Sequence, residues 1–412
     1  MRGSPSVIII APRGIFVKGG KTREESGSVS MTTIIKNGLI HDAVNAQPYV
    51  GDILIQDGKL AAIGPGLETP EGAAQMDAAG RQIWPGLVEA HGHIGLDGWA
   101  VGYEGQDYNE YNDPVTPQLR AIDGINPFDE SLRDAVRGGV TTLCTGPGSS
   151  NVLGGTFACF KPVGTCIDDM ALLPQAAMKC AFGENPKRCY REKGISSRMN
   201  TAAKLREMLF RAREYMEKLD AAGDDPAKKP AFDMKLHALL PVLRGEIPLK
   251  AHAHQANDIL TAIRIAKEFG VRLTLEHVTE GALIVDELVK ADVPLAIGPT
   301  FGQPSKIELQ NKSWRTPAIL SAAGCRVSII TDSPVTQQSH LRFCAAMAIQ
   351  NGMPEFEALK AIAINPARHI GVEGRVGSLE PGKDADLVIT DGDLFSMQSS
   401  VLETWIDGVK RQ

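Results

Sequence analysis

From Thr32 onward the chain alternates apolar and polar positions in short runs, "TIIKNGLI", "GDILIQDGKLAAIG" and "AAGRQIWPG", separated by turn residues. A period of two is the pattern of half-buried strands, and the Asn-Gly and Asp-Gly pairs inside it are hairpin signals, so an antiparallel β unit is expected here. The pattern returns near the C-terminus in "GSLEPGKDADLVITDG" and "VLETWIDGVK". These two segments are expected to pair into one small β domain, residues 31–85 with 371–412. Residues 1–30 carry no such periodicity and read as a poorly ordered extension outside the fold.

Between the two ends the texture changes. Apolar runs such as "GVTTLCTG", "AAMKCAFG", "IPLKAHAH", "VRLTLEHV", "VPLAIG" and "CRVSIITDSP" alternate with amphipathic stretches such as "NDILTAIRIAKEFG" and "GALIVDELVKAD". Strand followed by helix, repeated over residues 86–370, is the signature of parallel βα units. The expected class is α/β, a (β/α)8 TIM barrel carrying a small β-sandwich domain built from both chain ends. An open doubly wound sheet is the alternative, but no GxGxxG run is present and the reactive residues fall at the ends of several strands. Residues 191–233, with the run "AAKLREMLFRAREYMEKLDAAGDDPAKKP", are too long for a simple βα loop and read as a helical insertion with a flexible link.

Composition narrows the function classes. The chain has 412 residues, 43% hydrophobic and 22% charged, and its net charge of −6 is spread without a basic block. Neither a nucleic-acid footprint nor a membrane-surface patch is visible. No apolar run approaches the roughly 20 residues needed to span a bilayer, so a cytoplasmic location is expected. The seven cysteines form no CxxC pair and are odd in number, which fits reduced thiols.

The candidate chemistry sits at predicted strand ends. In "WPGLVEAHGHIGLDG", His91 and His93 lie two apart, so a strand would present both imidazoles on one side. His252 and His254 in "LKAHAHQAN", His277 in "TLEHVTEG" and Asp332 in "TDSP" occupy comparable positions. A lone histidine after a strand is more often a hydrogen-bonding residue than a ligand. Lys179 in "AAMKCAFGEN" is different, because a buried ammonium without a partner costs several kcal/mol and needs a chemical reason.

At these residues a resemblance emerges. "WPGLVEAHGHIG" resembles the first-strand signature of the amidohydrolase superfamily, and "GSLEPGKDADLVI" is similar to the segment that follows the barrel in many members. The similarity covers residues 31–412 and is greatest to the imidazolonepropionase-like and prolidase-like branch. The resemblance implies that His91, His93 and Asp332 bind one metal ion, and that His252 and His277 bind a second. It also implies that Lys179, carboxylated by carbon dioxide, bridges the two ions, with Glu184 in "GENPKR" as the alternative ligand. A carbamate would turn the buried cation into an anionic ligand. The chain departs from the family in placing Glu89 where an aspartate is usual; it is expected to support the site or pack at the strand base.

The implied activity is a metal-dependent hydrolase of an amide C–N bond, with zinc first by its fit to imidazole and carboxylate. Asp332 would move the proton, and His277 or His254 would polarise the carbonyl. The expected substrate is a small molecule: a dipeptide, an N-acyl amino acid or a cyclic amide. Arg120 and Tyr103, in the long loop after the first barrel strand, are the substrate-contact candidates. The loop "TGPGSSNVLGG" offers backbone N–H groups to an anion, although a tight connection is the simpler reading. A mononuclear deaminase of the same superfamily is the competing activity, and a non-catalytic barrel is disfavoured because the ligand set is complete. A homo-oligomer is expected from the resemblance alone.

Overall fold

Alternation at both chain ends resolves into a single hydrogen-bonded sheet. The computed structural model describes residues 32–97, 99 and 102–412, so the expectation for residues 1–30 lies outside the described residues. From the N-terminal side come β1 (Thr32–Ile40), β2 (Tyr49–Gln56), β3 (Lys59–Gly64), β4 (Ala74–Asp77) and β5 (Gln82–Pro85). The barrel strands are β6 (Leu87–Gly92), β7 (Val140–Thr145), β8 (Leu153–Phe160), β9 (Ala171–Ala181), β10 (Leu249–Ala253), β11 (Leu273–His277), β12 (Leu295–Ile297) and β13 (Val327–Ile329). The C-terminus returns β14 (Leu387–Thr390), β15 (Val401–Ile406) and β16 (Val409–Lys410) to the first sheet. Its order is β16-β15-β14-β5-β1-β2-β3, with β4 also paired to β1. The chain ends meet where β14 runs antiparallel to β5, Val388 opposite Trp84. Ile35, Ile53, Ile83, Leu387 and Ile389 form its core.

The two turn signals have different fates. Asp57-Gly58 makes the expected hairpin between β2 and β3, with φ of 49° and 77°. Asn37-Gly38 does not: it is a bulge inside β1, where the register against β2 shifts between Ile35 and Gly38. The side chain of Asp52 explains this. It accepts the Asn37 backbone N–H at 2.9 Å and the Lys36 ammonium at 2.9 Å, replacing the ladder bonds that a bulge gives up.

The second sheet is an eight-stranded, nearly closed barrel in the order β13-β12-β11-β10-β9-β8-β7-β6. It departs from eight equal βα units in one place. β8 runs antiparallel to both β7 and β9, with no crossover helix between β7 and β8, and the remaining neighbours are parallel. The ladder ends between β13 and β6, and Glu89 bridges that seam. Its carboxylate accepts the Thr331 N–H (2.9 Å), the Thr331 hydroxyl (2.6 Å), the Gln338 amide (2.9 Å) and the His91 N–H (3.0 Å). Burial nevertheless pushes the Glu89 carboxyl up to about 7.

Within the span 191–233, residues Arg198–Ala222 form one helix, capped by Ser197 accepting the Asn200 N–H and packed through Leu205, Leu209 and Ala212 into the main core. The seven cysteines are all free. No helix among the described residues is long and apolar enough to cross a membrane.

Lys161, just past β8, ties the barrel to the terminal sheet. Its buried ammonium lies 2.8 Å from Asp384, 2.9 Å from Asp386 and 2.6 Å from Asp407. Burial would raise Asp384, but Lys161, Lys59 and Arg375 outweigh it and hold the carboxyl down to about 2. Asp386 is pushed up to about 6 by burial, only partly offset by Lys161. A lowered carboxylate stabilises the fold above its unfolded pKa and loses that contribution as pH falls. A raised one loses its contribution as pH rises through the folded value. Lys161→Met leaves the buried Asp386 carboxylate without its cation, so urea unfolding should show a loss of about 3–5 kcal/mol at pH 8. The loss should shrink at pH 5, where Asp386 is free to protonate; an equal loss at both values would contradict this electrostatic account.

Candidate metal centre

Alternation along β10 places Lys250, His252 and, just beyond the strand, His254 on the inner side, while Leu249, Ala251 and Ala253 face outward into the main core. β6 does the same with Glu89, His91 and, one step past its end, His93. β11 ends on His277, whose φ of 76° swings its ring back toward the barrel axis. Asp332, with φ of 50°, turns inward after β13. Non-glycine residues in this left-handed region carry strain of about 1–3 kcal/mol and persist where the surroundings dictate them.

Each of these imidazoles is held from behind by its Nδ1. His93 Nδ1 lies 2.7 Å from the Gly146 carbonyl, and His277 Nδ1 lies 2.7 Å from the Gly298 carbonyl. His91 Nδ1 is 3.1 Å from the Glu276 carboxylate. His252 and His254 engage the hydroxyls of Ser149 and Thr279, both at 2.7 Å. A carbonyl or carboxylate accepts only, so Nδ1 of His91, His93 and His277 is the protonated nitrogen and Nε2 presents its lone pair inward. Burial pushes His91, His252 and His254 well below the ordinary imidazole range and lowers His277 as well. In these four rings burial favours the neutral form.

The inward atoms crowd one another. His93 Nε2 lies 3.1 Å from Asp332 Oδ1, and His91 Nε2 lies 3.6 Å from the same oxygen. Burial would raise Asp332, but His93, His277 and His91 outweigh it and keep the carboxylate ionised. Two acceptors at 3.1 Å need a cation or a proton between them. Among the described residues, the Nε2 atoms of His252 and His277 are buried and have no hydrogen-bond partner. The donor atoms form two groups, His91 with His277 and Asp332, and His252 with His254 and His277, each within 4.8 Å. This donor set fits divalent ions of the zinc type.

Lys179 and Lys250 are neighbours across β9 and β10, both buried and both about 5 Å from the Phe157 ring. Their partners differ. Lys250 is paired with Glu276 at 3.1 Å, whereas Lys179 makes no ion pair among the described residues and points at His91 Nε2, 3.1 Å away. Burial pushes the Lys179 ammonium down to about 8.

The other sequence candidates lie elsewhere. Glu184 opens a short helix and exchanges hydrogen bonds with Glu308: its N–H donates at 2.9 Å, and its carboxylate accepts the Glu308 N–H at 3.1 Å. It belongs to neither donor group, and the carboxylate facing His252 and His254 is that of Glu308. Arg120 is clasped by Asp123 and, with Tyr103, lines a separate depression. The centre instead opens into a cavity of about 440 Å³ lined by His93, Tyr108, Ser149, Arg188, Lys306 and Lys312. The loop read as a possible anion cradle is a positioning device: Gly146 and Ser149 hold His93 and His252. Gly146 cannot carry a side chain, because a Cβ would sit 2.2 Å from the Phe157 ring.

Sequence reasoning missed Glu276. Its carboxylate gathers His91, Lys250 (3.1 Å), His369 (2.9 Å) and Thr274 (2.7 Å). The signal was present: Lys250 and Glu276 are charged residues inside apolar strands, and the desolvation argument applied to Lys179 applies to them equally. Glu308 gave no such signal, since it lies in a loop, on a short helical turn, and not inside an apolar strand run.

Comparison with known proteins gives a consistent picture. The family model described as Amidohydrolase family matches residues 237–410. A solved structure of an amidohydrolase from Thermotoga maritima MSB8 is similar at 39% identity with a TM-score of 0.89, covering 92% of this chain and 99% of that one. The amidohydrolase tasK of Hapsidospora irregularis is 27% identical over 87% of this chain, which spans only 40% of that protein's length. The imidazolonepropionase of Thermoplasma volcanium is 26% identical over 84% of both chains.

Glu276→Gln should weaken divalent-ion binding about 10–100-fold by releasing His91, as read by competition against a chelating dye. Pairing it with Lys250→Met removes the buried ammonium that Glu276 neutralises and controls for folding. Parent affinity in both variants would show that Glu276 does not position His91.

Proposed function

The chain belongs to the amidohydrolase family, and from that premise we propose that it hydrolyses an amide C–N bond in a small molecule carrying a carboxylate, with divalent ions held at the barrel mouth. The observation that carries this reading is the convergence of two donor groups, His91 with His277 and Asp332 and His252 with His254 and His277, each within 4.8 Å, with the buried Nε2 atoms of His252 and His277 lacking a hydrogen-bond partner among the described residues. His91, His93 and Asp332 would hold one ion, and His252 and His277 a second. Zinc is the first choice for imidazole and carboxylate donors, and a bound ion supplies Lewis acidity and lowers the pKa of water toward about 7.

The chain's own groups account for the rest. Lys179 is buried, unpaired and shifted toward its neutral amine, the form that adds carbon dioxide to give a carbamate and a proton. Carboxylation would convert a buried cation that makes no ion pair among the described residues into an anionic group between the two donor groups. Asp332 accepts a proton from the attacking water and returns it to the leaving nitrogen, since its carboxylate is ionised and partly open to the cavity. Arg188 and Lys312 give the cavity wall a positive surface above Asp332, while Lys306 on the same wall is paired with Glu308. That charge pattern favours N-acyl amino acids, dipeptides or carboxylated cyclic amides over neutral amides. The relation to a protein named imidazolonepropionase supports the same reading.

The test is hydrolysis of such amides beside their uncharged methyl esters, with the parent and Asp332→Asn. The parent should prefer the free carboxylates, and Asp332→Asn should lower kcat about 10²–10⁴-fold while most of the metal stays bound. Near-parent turnover by the variant would contradict the proton-transfer role, and indifference to the carboxylate would contradict the substrate class.

A further inference from the structure

Three of the five imidazoles gather on one side of the cavity floor. Ring centroids are 4.7 Å apart for His252 and His254, 4.4 Å for His252 and His277, and 4.6 Å for His254 and His277. One donor nitrogen from each lies within 4.8 Å of the other two. His254 is as deeply buried as its neighbours, at 4% exposure against 3% for His252 and 2% for His277.

The orientation of His254 is also built in. Thr279, two residues beyond His277, holds its Nδ1 at 2.7 Å, as Ser149 holds His252 and Gly298 holds His277. Among the described residues its Nε2 makes no hydrogen bond. The nearest carboxylate oxygen, Glu308 Oε1, is 3.8 Å away, too far for a hydrogen bond, and is 3.9 Å from His252 Nε2. Glu308 is fully buried and fixed by Lys306 at 2.7 Å and the Glu184 N–H at 2.9 Å. Three imidazole nitrogens converge on one region with an anionic oxygen at its edge, and the lone pair of His277 Nε2 is aimed into it. The three imidazoles are a complete nitrogen donor set for a four-coordinate divalent ion.

We propose that His254 is a metal ligand, so that His252, His254 and His277 form a three-imidazole site for the second divalent ion, with the Glu308 carboxylate beside it. The inference rests on the metal-dependent reading above and deepens it. It moves His254 from carbonyl polarisation into ion binding, and it makes Thr279 a positioning residue for that ion.

Cobalt(II) titration of the metal-free protein, followed by calorimetry and visible absorption, tests this on the parent, His254→Gln and Thr279→Val. The parent should take up two ions. Both variants should keep one at parent affinity and bind the other at least about tenfold more weakly, with a changed absorption band for that ion. Thr279→Val keeps the side-chain shape and guards against misfolding in the histidine variant. Two ions at parent affinity and with the parent spectrum in either folded variant would overturn the proposal while leaving metal dependence intact. A parent that binds no cobalt tightly would overturn the metal-dependent reading with it.

Discussion

The site depends on one repeated interaction: an outer group holds Nδ1 of each imidazole, so that Nε2 faces inward. Gly146, Gly298, Glu276, Ser149 and Thr279 supply these contacts, from the loops after β7 and β12, from β11 itself and from the turn that follows it. An imidazole has one proton to place when neutral, so fixing it at the back fixes the lone pair at the front. Carbonyl and carboxylate partners fix this for His91, His93 and His277, whose three lone pairs and the Asp332 carboxylate then face a volume that a cation would neutralise. The fold supplies the rigidity that this crowding requires.

That rigidity has identifiable sources. The barrel ladder is incomplete between β13 and β6, and the seam falls beside His91, His93 and Asp332. Glu89 closes it with four hydrogen bonds, two of them to Thr331 and one to the His91 backbone. One buried carboxylate thus fixes both strand ends that carry His91, His93 and Asp332. Glu276 performs the corresponding task one layer deeper, joining β6, β10 and β11 through His91 and Lys250. Buried charges are costly alone, and here each is answered by several partners.

Much of this was legible in the sequence, and the limits have physical causes. His91 and His93 follow from strand periodicity, and the inward side of β10 follows from the same rule. Lys179 was legible from desolvation. The reversal of β8 was not, because a short apolar strand reads the same in either direction. Asn37-Gly38 misled because the same dipeptide suits a hairpin or a bulge, and only the distant Asp52 decides between them. Arg120 and Tyr103 were chosen from a loop whose path the sequence does not dictate, and Arg188 and Glu308 reach the centre through tertiary packing alone.

The central claim is that Lys179 and the convergent imidazoles form a site for two divalent ions. Elemental analysis of protein expressed with zinc and bicarbonate, compared with Lys179→Ala, addresses it directly. The account predicts close to two ions per chain in the parent and one or fewer in the variant. A single ion in both proteins would contradict the bridge at Lys179 and with it the paired-ion account.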